Sequence, residues 1–160
     1  MESNNDRYQN RYRISSIRLQ NWDYGWNAIY FVTICTKGRN HYFGEIIDGR
    51  MHLSPVGAIA DVLWHELSHH FGNIELDAFV VMPKTIGQQR FQHQGEKTLS
   101  SIVGSYKSAV SRHAHRLGCD FAWQSRFYDA IIRDNRALIR VQSYIGNNPK
   151  NWKEDKFCER

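Results

Sequence analysis

The chain has 160 residues, which fits one domain and gives no reason to expect two. Hydrophobic residues make up 41% and aromatics 13%, enough apolar material for one packed core. Lys and Arg outnumber Asp and Glu by 21 to 16, and the resulting +5 net charge favours a polyanionic partner, nucleic acid most simply.

Cys35, Cys119 and Cys158 are scattered and form no CxxC pair, which excludes a disulfide framework and a Cys-based zinc site and points to a reducing compartment. Met1 to Arg13 is polar and charged, unlike a signal peptide. The longest apolar stretch, around Ala28 to Cys35, is far shorter than the roughly 20 residues that cross a bilayer. A cytoplasmic protein with no membrane partner is the expectation.

Residues 1–17 read as a flexible basic arm and 18–157 as one domain. Ala28 to Thr36 is β-branched and aromatic, a buried strand. Tyr42 to Ile47 and Met51 to Leu53 flank Asp48-Gly49, a two-residue hairpin turn in which both positions tolerate positive φ. Ser54-Pro55 opens a helix as N-cap and first-turn proline, and Val56, Ile59, Ala60, Leu63 and Leu67 form its apolar stripe before Gly72-Asn73.

Ile74 to Met82 reads as another strand, and Lys84 to Lys97 as a polar loop without a period. A second helix follows from Thr98 to about Leu117, with Leu99, Ile102, Val103, Tyr106, Val110 and Ala114 as its stripe. Phe121 to Arg133 is extended, and Asp134 caps a last helix that Asn148-Pro149 ends. This order predicts an α+β fold, helices on one face of a mainly antiparallel sheet.

His65-Glu66-Leu67-Ser68-His69 matches HExxH, whose i, i+4 histidines could hold zinc with Glu66 as general base. No downstream third ligand is evident, and the neighbours are polar, so a solvated helix face is the preferred reading. His113 and His115 are two apart on a helix, point to different sides, and join Lys107, Arg112 and Arg116 in a basic face. Trp123, Arg126, Phe127, Tyr128 and Arg133 interleave aromatics with cations, which suits unpaired bases beside phosphates; core packing of Trp123 and Phe127 is the competing reading.

Several segments in order carry a family resemblance: Tyr30-Phe31-Val32-Thr33-Ile34-Cys35-Thr36, Phe43-Gly44-Glu45-Ile46, Leu76-Asp77-Ala78-Phe79-Val80-Val81-Met82-Pro83, Tyr106-Lys107-Ser108-Ala109-Val110, Trp123-Gln124-Ser125-Arg126-Phe127-Tyr128-Asp129, Ile131-Ile132-Arg133-Asp134, and Tyr144-Ile145 with Asn148-Pro149. From about Arg18 to Phe157 the chain resembles the REP-associated tyrosine transposases, a branch of the HUH-type single-tyrosine transposases. The resemblance implies a ferredoxin-like α+β domain, a homodimer, and action on single-stranded or hairpin DNA. It implies a tyrosine nucleophile that leaves a 5′-phosphotyrosine link, with Mg2+ or Mn2+ held by a His-hydrophobic-His pair. Tyr144 stands at the nucleophile position, with Asn148 one turn on.

The pattern breaks after Met82-Pro83. Lys84-Thr85-Ile86-Gly87 follows, placing Thr85 and Gly87 where the resemblance implies the histidines, and Ala130 stands where relatives commonly carry another. No apolar strand is legible beyond, so a deletion of the pair together with one sheet strand is expected, and no metal cofactor. A phenol of ordinary pKa, about 10, attacks an unpolarised diester poorly. The expectation is therefore a DNA-binding protein inactive in cleavage, with Lys107, Arg112, Trp123, Arg126, Arg133 and Lys150 at the DNA. The alternatives are an active transposase recruiting substitute ligands such as His93, and a zinc hydrolase on His65, Glu66 and His69.

Overall fold

In the structure, a computed structural model, residues 7–8, 11–12, 28–72, 74–89 and 98–152 are described. Within the predicted N-terminal arm, Arg7–Tyr8 pairs antiparallel with Arg11–Tyr12, and the arm otherwise lies outside the described residues.

The domain begins with β1 (Ile29–Cys35), whose β-branched and aromatic side chains alternate strictly between buried and half-buried. A hairpin of β2 (Gly44–Ile47) and β3 (Arg50–Leu53) follows. Its tip is Asp48-Gly49, with φ of 49° and 71°, the paired positive values that a tight two-residue turn demands. Helix α1 (Pro55–His70) starts where Ser54 accepts the Gly57 amide at 3.0 Å. Then come β4 (Phe79–Met82), β5 (Thr85–Gln89), α2 (Leu99–Arg116), β6 (Tyr128–Ile132) and α3 (Asn135–Asn147).

The main sheet runs β4-β5-β1-β6, antiparallel throughout. With α1 between β1 and β4 and α2 between β5 and β6, this is the ferredoxin-like βαββαβ order, as expected for the α+β class. The predicted loss of a strand is not what the chain does. Thr85–Gln89, read from sequence as the start of a polar loop, is an inner strand paired with β4 on one side and β1 on the other. Its composition hides it, because Thr, Gly and two Gln give no apolar alternation. Its ladder comes from two flanking strands, a tertiary effect that overrides local propensity. The unpaired sheet edge that a deletion would have left is therefore absent.

The helices do not all lie on one face either. Tyr30, Val32 and Ile34 of β1 are fully buried with Val56, Ala60, Trp64 and Leu67 of α1 and Leu99, Ile102, Val103, Tyr106, Val110 and Ala114 of α2, forming the core. The alternate β1 residues face the other way, where Phe31 meets Tyr144 of α3 edge-on at 6.3 Å. So α1 and α2 cover one face and α3 the other. Gln142 of α3 also donates to the Asp77 carboxylate at 2.8 Å, tying α3 to the segment before β4.

Candidate functional site

The face under α3 is read from the strand register. Phe31, Thr33 and Cys35 of β1 lie opposite Gln89, Gly87 and Thr85 of β5, while Phe31 and Thr33 lie opposite Ala130 and Tyr128 of β6. Directly opposed residues share a face. Positions 85, 87 and 130, where the resemblance implies histidines, therefore all stand on the face that Tyr144 overlooks. Tyr144 is 47% exposed and Tyr128 44%, and Phe31 packs edge-on against both, at 6.3 and 6.5 Å. Sequence reading found Tyr144 but not this aromatic trio. Its only signal is that Phe31 and Tyr128 alternate with buried neighbours along their strands.

Asn148, proposed beside Tyr144, is buried at the C-cap of α3, where its amide donates to the Ile145 carbonyl and its own carbonyl accepts from Asn151. The segment after it packs across Lys84, whose ammonium lies 5.3 Å over the Trp152 ring although the side chain is 97% buried. The sequence placed Lys84 only at the start of a polar loop.

The residues present do not fit a divalent-cation site of the implied kind. The two implied positions hold Thr and Gly, and among the described residues no group of three or more His, Cys, Asp or Glu converges. His93 lies outside the described residues. Among the described residues the HExxH helix likewise meets no third ligand. His65 Nδ1 donates to the Asp61 carbonyl at 2.9 Å, its ring abuts Phe79, and His69 sits exposed 4.0 Å from Glu66.

The proposed DNA contacts divide into separate groups. Lys107, Trp123 and Arg126 come together between α2 and the segment leading to β6. The Trp123 indole donates to the Lys107 carbonyl at 3.0 Å, and the Lys107 ammonium donates to the Gln124 carbonyl at 2.6 Å and lies 5.9 Å from the Trp123 ring. Burial holds the Lys107 pKa below its ordinary value, and the nearby Cys35 thiol opposes this. Trp123 itself is half-buried and packs among Phe43, Tyr106 and Phe121.

Arg126 and Lys107 line a cavity of ≈ 500 Å³. Arg112 stands apart on the outer side of α2, Arg133 at the junction of β6 and α3, and Lys150 against the β2–β3 tip beside Gly49. Arg112, Arg126, Arg133 and Lys150 are all exposed, and none forms an ion pair within the described residues.

No family model matches the chain. An uncharacterized protein of Haemophilus influenzae (strain Rd) is 30% identical over 164 residues, covering 89% of this chain and 91% of that protein. Among solved structures, a REP-associated tyrosine transposase bound to a REP hairpin matches 82% of this chain and 72% of its own, with a TM-score of 0.64 and 20% identity. A protein of Deinococcus radiodurans R1, provisionally named a transposase, matches 80% of this chain and 94% of its own, with a TM-score of 0.51 and 16% identity. The fold is thus that of the tyrosine transposases. The chain belongs to one family with the Haemophilus influenzae protein. No helix among the described residues is long and apolar enough to cross a membrane.

Proposed function

We propose that this chain is a DNA-binding member of the transposase lineage that recognises single-stranded or hairpin DNA and no longer cleaves it. The observation that carries the reading is the face under α3. It keeps an accessible tyrosine over an intact sheet, but positions 85, 87 and 130 beneath it are Thr, Gly and Ala. Without a cation to offset charge on a scissile phosphate, attack by a phenol forgoes several kcal/mol of transition-state stabilisation, roughly enough to silence it. Binding needs no such ion. The net charge of +5 and surface cations that form no ion pair among the described residues supply phosphate affinity by counterion release. A homodimer working in a reducing compartment belongs to this reading, supported by the resemblance and by cysteines without a paired motif.

The test mixes the protein with labelled single-stranded hairpin DNA and manganese, with Tyr144→Phe as control. The expected result is a shifted band on a native gel and no covalent band on a denaturing gel. A covalent band that disappears in Tyr144→Phe would show a working nucleophile and overturn the loss of cleavage. No shift at low salt would overturn DNA binding itself.

A further inference from the structure

We propose that the cavity between α2 and the segment 124–127 is a nucleotide subsite that takes one unpaired nucleotide of a DNA single strand. Its phosphate sits against Lys107 and Arg126 and its base lies along α2 at Gly104 beside Phe127. This rests on the DNA-binding reading and gives it a place on the molecule.

The volume of ≈ 500 Å³ falls within the range of about 300–1,000 Å³ typical of small-molecule sites, and far exceeds what one ion needs. Among the described residues that line the cavity, two are cations and none is a carboxylate. An ammonium carries three N–H donors. The Gln124 carbonyl takes one from Lys107 at 2.6 Å, which fixes the side chain and leaves two for a phosphate oxygen. Arg126 is exposed and forms no ion pair among the described residues, and its planar fork can grip a phosphate through two hydrogen bonds. The Ser125 hydroxyl stands beside them.

The other half of the cavity is suited to a ring. A side chain built at Gly104 would meet nothing within 4 Å, so the helix is bare there and a flat ring can lie against it. Phe127, half-buried and packed against the core, also lines the cavity, and its exposed part is aromatic surface of the kind on which unpaired bases stack. A base still paired in a duplex cannot enter such a recess, which confines the subsite to single-stranded DNA. Among the described residues no Asn, Gln, Asp or Glu lines the cavity, and with Lys107 and Arg126 engaged on the phosphate, stacking dominates and one base should serve nearly as well as another.

The experiment uses the full chain and a hairpin with a single-stranded flank, in which an abasic site is walked along the flank. In the wild type, one abasic position should lower affinity by about tenfold, the loss of one stacked base. Gly104→Leu, which fills the cavity without touching a charge, should bind the intact flanked hairpin about tenfold more weakly and lose that dependence. It should bind a flankless hairpin as the wild type does.

A wild type indifferent to every abasic position overturns the subsite without reference to any variant. So does a folded Gly104→Leu protein with wild-type affinity. If inorganic phosphate competes as well as deoxyadenosine monophosphate, the cavity holds a phosphate only and the nucleotide claim falls. Absence of binding to any hairpin, flanked or not, would overturn the DNA-binding reading, and with it this one.

Discussion

Tyr106 ties α1 to α2 through a single buried side chain. Its ring packs at right angles to Trp64 and its hydroxyl donates to the Ala60 carbonyl at 2.8 Å. Removing that hydroxyl in Tyr106→Phe should cost about 1 kcal/mol, the net worth of an ordinary hydrogen bond, measured by urea unfolding at neutral pH. Burial first, and Asp61 second, hold the Tyr106 pKa well above 10.0, because neither tolerates a phenolate. The folded state thus keeps its proton where the unfolded chain gives it up. Stability from this group is complete below about pH 10 and falls as pH rises beyond it toward the folded value. The wild type should lose stability above pH 10 faster than Tyr106→Phe, which has nothing to ionise there. Parallel alkaline unfolding curves for the two proteins would refute the assignment.

The separate elements differ sharply in how much the sequence discloses. Helix α2 was legible residue by residue, because one face meets the core and each stripe position is buried as the helical period requires. In α1 the stripe was only partly legible. Trp64 is buried and stacks on Phe79, whereas Ile59 and Leu63 are only half-buried, since the helix turns its tryptophan toward β4. The strand β5 was illegible because its pairing is decided by neighbours far away in sequence, and that one omission produced the mistaken deletion. The tyrosine face suffered likewise: a resemblance could name Tyr144, but only the register shows that positions 85, 87 and 130 lie under it.

One contact between elements was equally hidden. The β2–β3 hairpin enters so close to α1 that a Cβ at Gly57 would lie 2.0 Å from the Phe43 carbonyl oxygen. Gly57→Ala must push backbone from backbone and should cost on the order of 1–3 kcal/mol, despite the better helix propensity of alanine. Thermal unfolding checks it, and an unchanged or raised Tm would mean that the hairpin yields without strain. Asp134→Ala tests α3 in the opposite sense. Its carboxylate accepts the Ala137 amide at 2.8 Å, and α3 buries only Ile145 fully, so losing the cap should cost about 1 kcal/mol. Hydrogen exchange should quicken in α3 well before it does in α2.

For the whole molecule the question is how a +5 protein distributes its charge. Arg112, Arg126, Arg133 and Lys150 are exposed cations without carboxylate partners among the described residues, yet they occupy different parts of the surface rather than one patch. Arg112 lies on the helix layer opposite the tyrosine face, while Arg133 adjoins the start of α3 and Lys150 follows its end. A single strand of DNA lying across one side cannot neutralise all of them together. Counterion release makes this measurable, because each phosphate neutralised contributes about −0.7 to the slope of log K against log salt for single strands and about −0.9 for duplex. Changing a contacting residue to Gln should shallow the slope by roughly that amount, and changing a non-contacting one should leave it alone. Arg126→Gln is expected to shallow the slope measured with a flanked hairpin, because it lines the proposed subsite. If Arg133→Gln and Lys150→Gln also shallow it while Arg112→Gln does not, DNA passes along the side bearing α3. If Arg112→Gln has the largest effect instead, DNA lies on the helix layer, and Tyr144 is a relic facing solvent. A slope near zero for the wild type would mean that the positive charge serves solubility and that no phosphate is bound at all.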